Sequence, residues 1–338
     1  MISFRLGGTD GVAIEAAKWS WALQSLGHRV VTVAGEGTPD RMVPGLGIGD
    51  REGPSRADVA AALADADLVV VENLVSLPLN PAARDVVYAA LEGRRAIFHH
   101  HDLAWQRADL AHHDPPRTAA HWWHITINER SRLELAARGV DAVTIMNSFD
   151  CDPPLGDRWG VRGALDVDVD EATLVVLPTR ALARKNVDGA IALCEAIGAT
   201  FWLLGPAEDG YGPTLERLLE STSIDVRRAI PGGFDMHDVY AACDLVVMPS
   251  LWEGFGNPVV ESVTHRRPLS LNPYPVAREI IAFGFEFFEL DDVVRLERYL
   301  AAPDQDMLER NLEVARRHFN LRSLPERLAR LLATAGIG

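Results

Sequence analysis

Lysine is nearly missing from this chain. Of 33 basic residues only Lys18 and Lys185 are lysines and the rest are arginine, so a retained lysine marks a place where a compact point charge serves better than a planar fork. Positive charge as a whole is in deficit, since 48 acidic side chains give a formal net charge of −15. Nucleic acid and anionic membrane surfaces are poor partners for such a chain, because it has no excess of cations to exchange for counterions. Cysteine is represented only by Cys151, Cys194 and Cys243. That is an odd number at spacings of no metal or redox motif, and it points to a reducing cytoplasm. No apolar run approaches the ~18 residues of a transmembrane segment. The start MISFRLGGTDG lacks the apolar stretch of a signal peptide, and no basic amphipathic helix argues for peripheral attachment.

What is present is a globular composition, 48% hydrophobic and 24% charged over 338 residues, long enough for two domains of about 150 residues each. Short apolar runs alternate with helical patterns, the sequence form of a parallel sheet covered on both faces by helices. A helix from Val12 to Leu26 places Ala16, Trp19, Leu23 and Leu26 on one face and stops at Gly27. Strands are expected at Val30 to Ala34, Leu68 to Glu72, Ala96 to His99, His124 to Ile127 and Val143 to Met146. Residues 151–172, rich in Pro, Gly and Asp without periodicity, read as a linker between a first domain over 1–150 and a second over 173–319. The second series runs through strands LVVLP, Thr200 to Leu204, Val226 to Ile230, LVVMP and Pro268 to Leu271. The fold class is α/β, with two doubly wound Rossmann-like domains in tandem, whose ligands bind at the carboxyl ends of the strands.

Two loops of the second domain carry the strongest chemical signals. LVVLP runs into TRALARKN and then a helix with Asn186 as N-cap, Asp188 in its first turn and Gly198 at its stop. Arg180 and Lys185 thus flank a helix N-terminus at a strand end, which suits an anion, although a surface basic pair is the plain alternative. In PSLWEGFGNPVVES the helix restarts with Asn257 as N-cap and Pro258 at its first position. The glycines of Glu253-Gly-Phe-Gly let backbone approach a ligand. Glu261 lies one residue beyond the capping-box position, which Val260 occupies, leaving mild helix-dipole stabilisation as its structural explanation.

The E-x7-E spacing of Glu253 and Glu261 with GFG inside it, the R-x4-K before it, the N-terminal GG loop, an HD after the fourth strand and TIMNSFD near the end of the first domain occur together in order. In this the chain resembles the retaining glycosyltransferases of the GT-B fold, and more narrowly family 4, which contains sucrose-phosphate synthases and mannosyltransferases. The resemblance covers nearly the whole chain. It departs from the family pattern in two places: R-x4-K is one residue shorter than the commoner spacing, and NSFD stands where NGVD is usual. It implies that Arg180 and Lys185 hold the donor diphosphate, Glu253 the hydroxyls of the transferred sugar, and Glu261 the ribose. Phe255, Gly256 and Asn257 line the donor, and Gly7 and Gly8 approach its phosphates. It further implies a C-terminal helix, about 320–338, as a candidate to pack back on the first domain.

Seven of the eleven histidines fall between His99 and His124. A metal site there is disfavoured, because neighbours at a strand end point to alternate sides and no H-x3-H or H-E-x-x-H is present. The resemblance instead makes His101, in the HD, the group near the reacting carbon. His100 is the competing alignment, and Asp102, Trp105 and Arg107 are candidates for the acceptor. DVDVD over 166–170 sits in the linker and reads as solvated charge.

The expectation is a cytoplasmic enzyme that needs neither metal nor cofactor. It would move a hexose from a nucleotide diphosphate sugar, of unassigned base, to a hydroxyl of a small-molecule, glycan or lipid-linked acceptor. The rivals are a nucleotide-sugar epimerase of the same fold and a non-catalytic nucleotide-sugar-binding protein. A pyridoxal-dependent phosphorylase would have only Lys18, on an expected surface helix, for its Schiff base. Nothing in the sequence fixes an oligomeric state.

Overall fold

The computed structural model describes every residue except Thr9, Arg51, Asp170, Ile337 and Gly338. The chain divides into two compact units, 1–148 with 321–338, and 149–320.

In the first unit Val69–Glu72, Ala96–His100, Trp122–Thr126 and Ala142–Thr144 form a four-stranded parallel sheet in that order. Ile2 bridges in parallel to both Val33 and Val71. The chain therefore winds one way from its first strand to Val33–Ala34 and Arg41–Met42, and the other way into Val69–Glu72. That reversal is the topological switch point, where open α/β sheets bind their ligands. The central strands are buried on both faces, which is why VVVE and AIFHH are apolar until their last residues. The helix Gly11–Ser25 begins at Asp10, whose carboxylate accepts the amides of Val12 and Ala13. Its buried Ala16, Trp19 and Leu23 pack with Leu324, Leu328, Leu331 and Leu332 of the helix Leu324–Thr334.

The second unit has six parallel strands in the order Val226–Arg228, Thr200–Leu203, Leu174–Leu177, Leu245–Met248, Leu269–Leu271 and Phe288–Glu289. Its switch point lies between Leu174–Leu177 and Leu245–Met248, so the loops after these two strands share one sheet end.

Residues 151–172, expected as a linker, instead carry the helix Arg158–Leu165. The sequence concealed it because one of the two residues it buries completely is an arginine. Arg162 is 0% exposed; its Nε donates to the carbonyl of Ala242 at 2.9 Å, its Nη1 to those of Asp168 and Ala172, and its Nη2 to Asp244. Arg158 completes the pairing, with Nη2 2.6 Å from Asp244. The expected loop charges of DVDVD include Asp170, which lies outside the described residues.

Removing Arg162 takes the donor from the buried carbonyl of Ala242 and from two partly buried carbonyls, and leaves Asp244 with Arg158 as its cation. Arg162→Ala should therefore lower unfolding stability by roughly 2–4 kcal/mol through lost charge-assisted hydrogen bonds. Arg158→Ala, at a more exposed position, should cost distinctly less. Urea denaturation of the two variants checks the order, and equal losses would contradict it.

Candidate active site

At the switch point of the second unit the two loops are tied together before any ligand arrives. The first contains the single 3-10 turn Ala183–Lys185, after which Asn186 adopts a left-handed conformation with φ 50° and opens the helix Val187–Ile197. Asn186 makes no side-chain cap as the sequence suggested. Its amide donates across to the carbonyl of Pro249 at 3.3 Å, and the Leu251 amide donates back to Arg184 at 2.8 Å.

Between the loops lies Glu253, only 5% exposed. One oxygen accepts from Lys185 Nζ at 2.5 Å and the other from Arg184 Nη1 at 2.5 Å. Burial alone would raise the Glu253 pKa, but the charges of Lys185 and Arg184 outweigh it and hold the carboxyl below its usual range. Burial lowers the Lys185 pKa, with Glu253 opposing. Arg180, expected as the partner of Lys185, turns its guanidinium to Glu208 at 2.6 Å and is 42% exposed. The cation beside Lys185 is Arg184, which the sequence did not single out. A 3-10 turn makes the difference, because it brings consecutive residues 184 and 185 to the same carboxylate.

Gly256 has φ +88°, and a Cβ there would come 2.0 Å from the Tyr274 hydroxyl. That hydroxyl donates to the Phe255 carbonyl at 2.8 Å. The Phe255 ring is buried against Phe149 and Phe319, so only its main chain is available to a ligand. Pro258–Thr264 follows; Asn257 stands at its N-cap position but in helical conformation, with no side-chain cap. Glu261 accepts from the Tyr240 hydroxyl at 2.8 Å, and the Tyr240 ring stacks on His265.

The switch point of the first unit gathers a different set. Gly7, with φ +77°, lies against Thr38, whose Oγ1 would be 2.1 Å from a Cβ there; Gly8 is exposed beside it. Glu72 ends its strand with 0% exposure. One of its oxygens accepts from His99 Nδ1 at 2.8 Å and from His101 Nε2 at 2.9 Å. These three side chains are the one group among the described residues whose histidine and carboxylate ligand atoms lie within 4.8 Å of one another. The hydrogen bonds account for that closeness.

Strand alternation sends His100 to the opposite side. There it is 1% exposed, bonded to His124 at 2.9 Å and stacked with Phe98, so the competing alignment at His100 and the one at His101 place their rings on different sides of the strand. Asn73, itself left-handed, accepts the amides of His101 and Asp102 at 3.0 Å and fixes the turn between them. Trp105 donates to Glu134 at 2.8 Å beneath the guanidinium of Arg138, and Arg107 pairs with Asp109 at 3.4 Å. Lys18 is no bare surface lysine, since its Nζ lies 2.5 Å from the carboxylate of Glu15, which is 1% exposed.

Residues 171–298 match the profile of a family described as Glycosyl transferases group 1. A mannosylglucosylglycerate synthase from Petrotoga mobilis is 26% identical, with 90% of this chain and 89% of that protein aligned. The crystal structure of Anabaena Alr3699/HepE in complex with UDP-glucose superposes with a TM-score of 0.76 at 18% identity, covering 99% of this chain and 100% of that one. A sucrose-phosphate synthase from Thermosynechococcus elongatus gives a TM-score of 0.73 at 15% identity, covering 98% of each chain. The structural likenesses establish the two-domain GT-B fold, and the Glycosyl transferases group 1 profile lies within the second unit of that fold.

The loop at Gly256 supplies its own test. Gly256→Ala should cost more than about 2 kcal/mol, through left-handed strain and overlap with the Tyr274 hydroxyl. Tyr274→Phe should cost about 1 kcal/mol for the lost hydrogen bond. The double variant should be less destabilised than the sum of the two, because the overlapping atom has gone. A denaturation cycle with additive losses would refute the close approach.

Proposed function

We propose that this chain is a group 1 glycosyltransferase, a metal-independent hexosyltransferase that transfers sugar from a nucleotide diphosphate donor to an acceptor hydroxyl with retention of anomeric configuration. The observation that carries the reading is the buried Glu253 fixed by Arg184 and Lys185 at the switch point. In this reading Lys185, with Arg180 nearby, offsets the charge of the leaving diphosphate. Arg184 joins them.

Glu253 meets the hydroxyls of the transferred sugar through lone pairs its two cations do not occupy. The main chain at Phe255 and Gly256 and the side chain of Asn257 line the donor, and Glu261, steadied by Tyr240, accepts from the ribose hydroxyls. Among the first unit's residues, His101 is assigned the role beside the reacting carbon, and Gly7 and Gly8 that of admitting the donor phosphates. Asp102, Trp105 and Arg107 are assigned to the acceptor side.

The electrostatics favour front-face displacement over a double displacement. A carboxylate whose pKa is held low by two cations is a poor base and a poor nucleophile. The acceptor proton is then taken by an oxygen of the departing diphosphate, whose charge the same cations offset. Cations and main-chain amides supply that stabilisation, so no divalent ion is called for. For the acceptor, the product named for the Petrotoga mobilis relative directs the first trial to glucosylglycerate.

Two experiments test the reading. Calorimetry with UDP, GDP and ADP should find one tight-binding nucleotide, and Lys185→Ala should weaken it about 10- to 100-fold by removing a charge-assisted hydrogen bond. Lys185→Arg should not restore it, since the buried space fits an ammonium. Unchanged affinity in Lys185→Ala would sink the assignment. Incubation of the matching sugar nucleotide with glucosylglycerate and simple glycosides, followed by proton NMR of the product, should show the donor's anomeric configuration. Inversion would exclude the mechanism, and release of nucleotide with a free epimerised sugar would identify an epimerase instead.

A further inference from the structure

Three buried side chains at the end of the first unit's sheet form an arrangement that packing does not account for. Glu72 offers a single oxygen to both His99 and His101, while its other oxygen and the Nε2 of His99 are buried with no hydrogen-bond partner among the described residues. Buried polar atoms left unpartnered are retained against stability, and they concentrate where a site needs a fixed geometry. The rest of the surround is rigid. Trp19 stacks on His99 with ring centroids 4.1 Å apart, and the His101 amide is held by Asn73.

Resting on the reading that His101 faces the transferred sugar, we propose that Glu72 is a positioning residue. By holding Nε2 of His101 from inside the sheet, it leaves Nδ1 as the ring nitrogen offered to the sugar. Without that anchor the ring could flip about its χ2 axis or carry its proton on the other nitrogen. With it, the neutral ring has one tautomer: Nε2 donates to Glu72 and Nδ1 is an acceptor. When protonated, the ring offers Nδ1–H as a donor.

The charges facing His101 agree. Burial acts to lower its pKa, but Glu72, with smaller contributions from Glu15 and Asp102, outweighs it and leaves the pKa raised. Glu15 comes from the helix Gly11–Ser25, where it is paired with Lys18 and feels Arg327 from the helix Leu324–Thr334. His99 is the ring on the same carboxylate, and its own pKa is lowered, chiefly by burial. The pair thus divides its roles: His99 is the neutral brace and His101 the ring that titrates.

The test needs no sugar nucleotide for its first part. Long-range proton–nitrogen correlation spectra of the nitrogen-labelled full-length protein, with His101 assigned by its loss in His101→Gln, report both tautomer and titration. In the wild type His101 should titrate above the usual value of about 6.5 and carry its proton on Nε2 when neutral. In Glu72→Gln the midpoint should fall by at least about one pH unit, because burial is then opposed only by the smaller effects of Glu15 and Asp102, and Glu72→Asp should recover part of the shift. An Nδ1–H tautomer in the wild type, which requires no variant to fold, would overturn the proposal. So would an unmoved midpoint in Glu72→Gln, or a stoichiometric metal ion bound by the three side chains.

The second part uses UDP-glucose turnover. Glu72→Gln should lower kcat at least tenfold with KM little changed, and should move the alkaline limb of the kcat profile to lower pH. If the midpoint falls while kcat and its pH profile stay as in the wild type, Glu72 does not act through His101 on the reaction. If the wild type turns over no sugar nucleotide, the glycosyltransfer reading fails while the tautomer result stands by itself.

Discussion

A parallel sheet covered on both faces leaves almost no place for charge except where its strands end, and this constraint organises both units of the molecule. LVVL is apolar throughout and VVVE up to its last residue, and the winding reversal opens a gap only at the carboxyl edge. Each unit stations one nearly inaccessible carboxylate there, Glu253 in one and Glu72 in the other. The two are compensated differently. Glu253 is held by an ammonium and a guanidinium, whose charges keep its pKa below the usual carboxylate range; Glu72 is held by two imidazoles. One end sets a carboxylate against full cations and the other against rings that can take up or release a proton.

The scarcity of lysine acquires a structural meaning in this light. Lys185 and Lys18 each place an ammonium on a carboxylate that is at least nine-tenths buried, with side-chain exposures of 9% and 16%. Arginine takes the exposed pairings, such as Arg266 with Glu309 and Arg310 with Glu286, each of which contributes little in water. Arg162 is the exception. It is fully buried because its fork serves three carbonyls and a carboxylate at once, a task an ammonium cannot perform. The choice of cation therefore follows the number of acceptors to be met in a confined space.

The same logic explains what could be read from the sequence. The strands and the two loops at the second switch point were legible because apolar runs and glycine or proline signals are local. Asn186 and Asn257 were legible as helix boundaries but not in action, since one side chain bridges to the neighbouring loop and the other residue is already helical. Arg184 was missed because a 3-10 turn, unlike a loop read by spacing, directs adjacent residues to one partner. Glu72 was overlooked although a charge closing an all-valine run is a visible anomaly, and the helix around Arg162 was hidden because an arginine stands between Val161 and Leu165 on its buried face. In each case long-range pairing supplied what local pattern could not.

Rigidity in the second unit bears on how binding there can act. The loop after Leu245–Met248 is crossed by bonds from Asn186 to Pro249, from Asn272 to Ser250 and from Tyr274 to Phe255. Lys185 and Arg184 are already committed to Glu253. An anion arriving here would meet cations whose positions are set, so its binding would be an exchange of partners within a fixed frame, not an ordering of free side chains. Such a frame costs little reorganisation when negative charge develops beside it. It also limits tolerance. A carboxylate immobilised by two cations can accept only from donors presented along its remaining lone pairs, so selection at this position rests on the orientation of the incoming group rather than on adjustment of the protein.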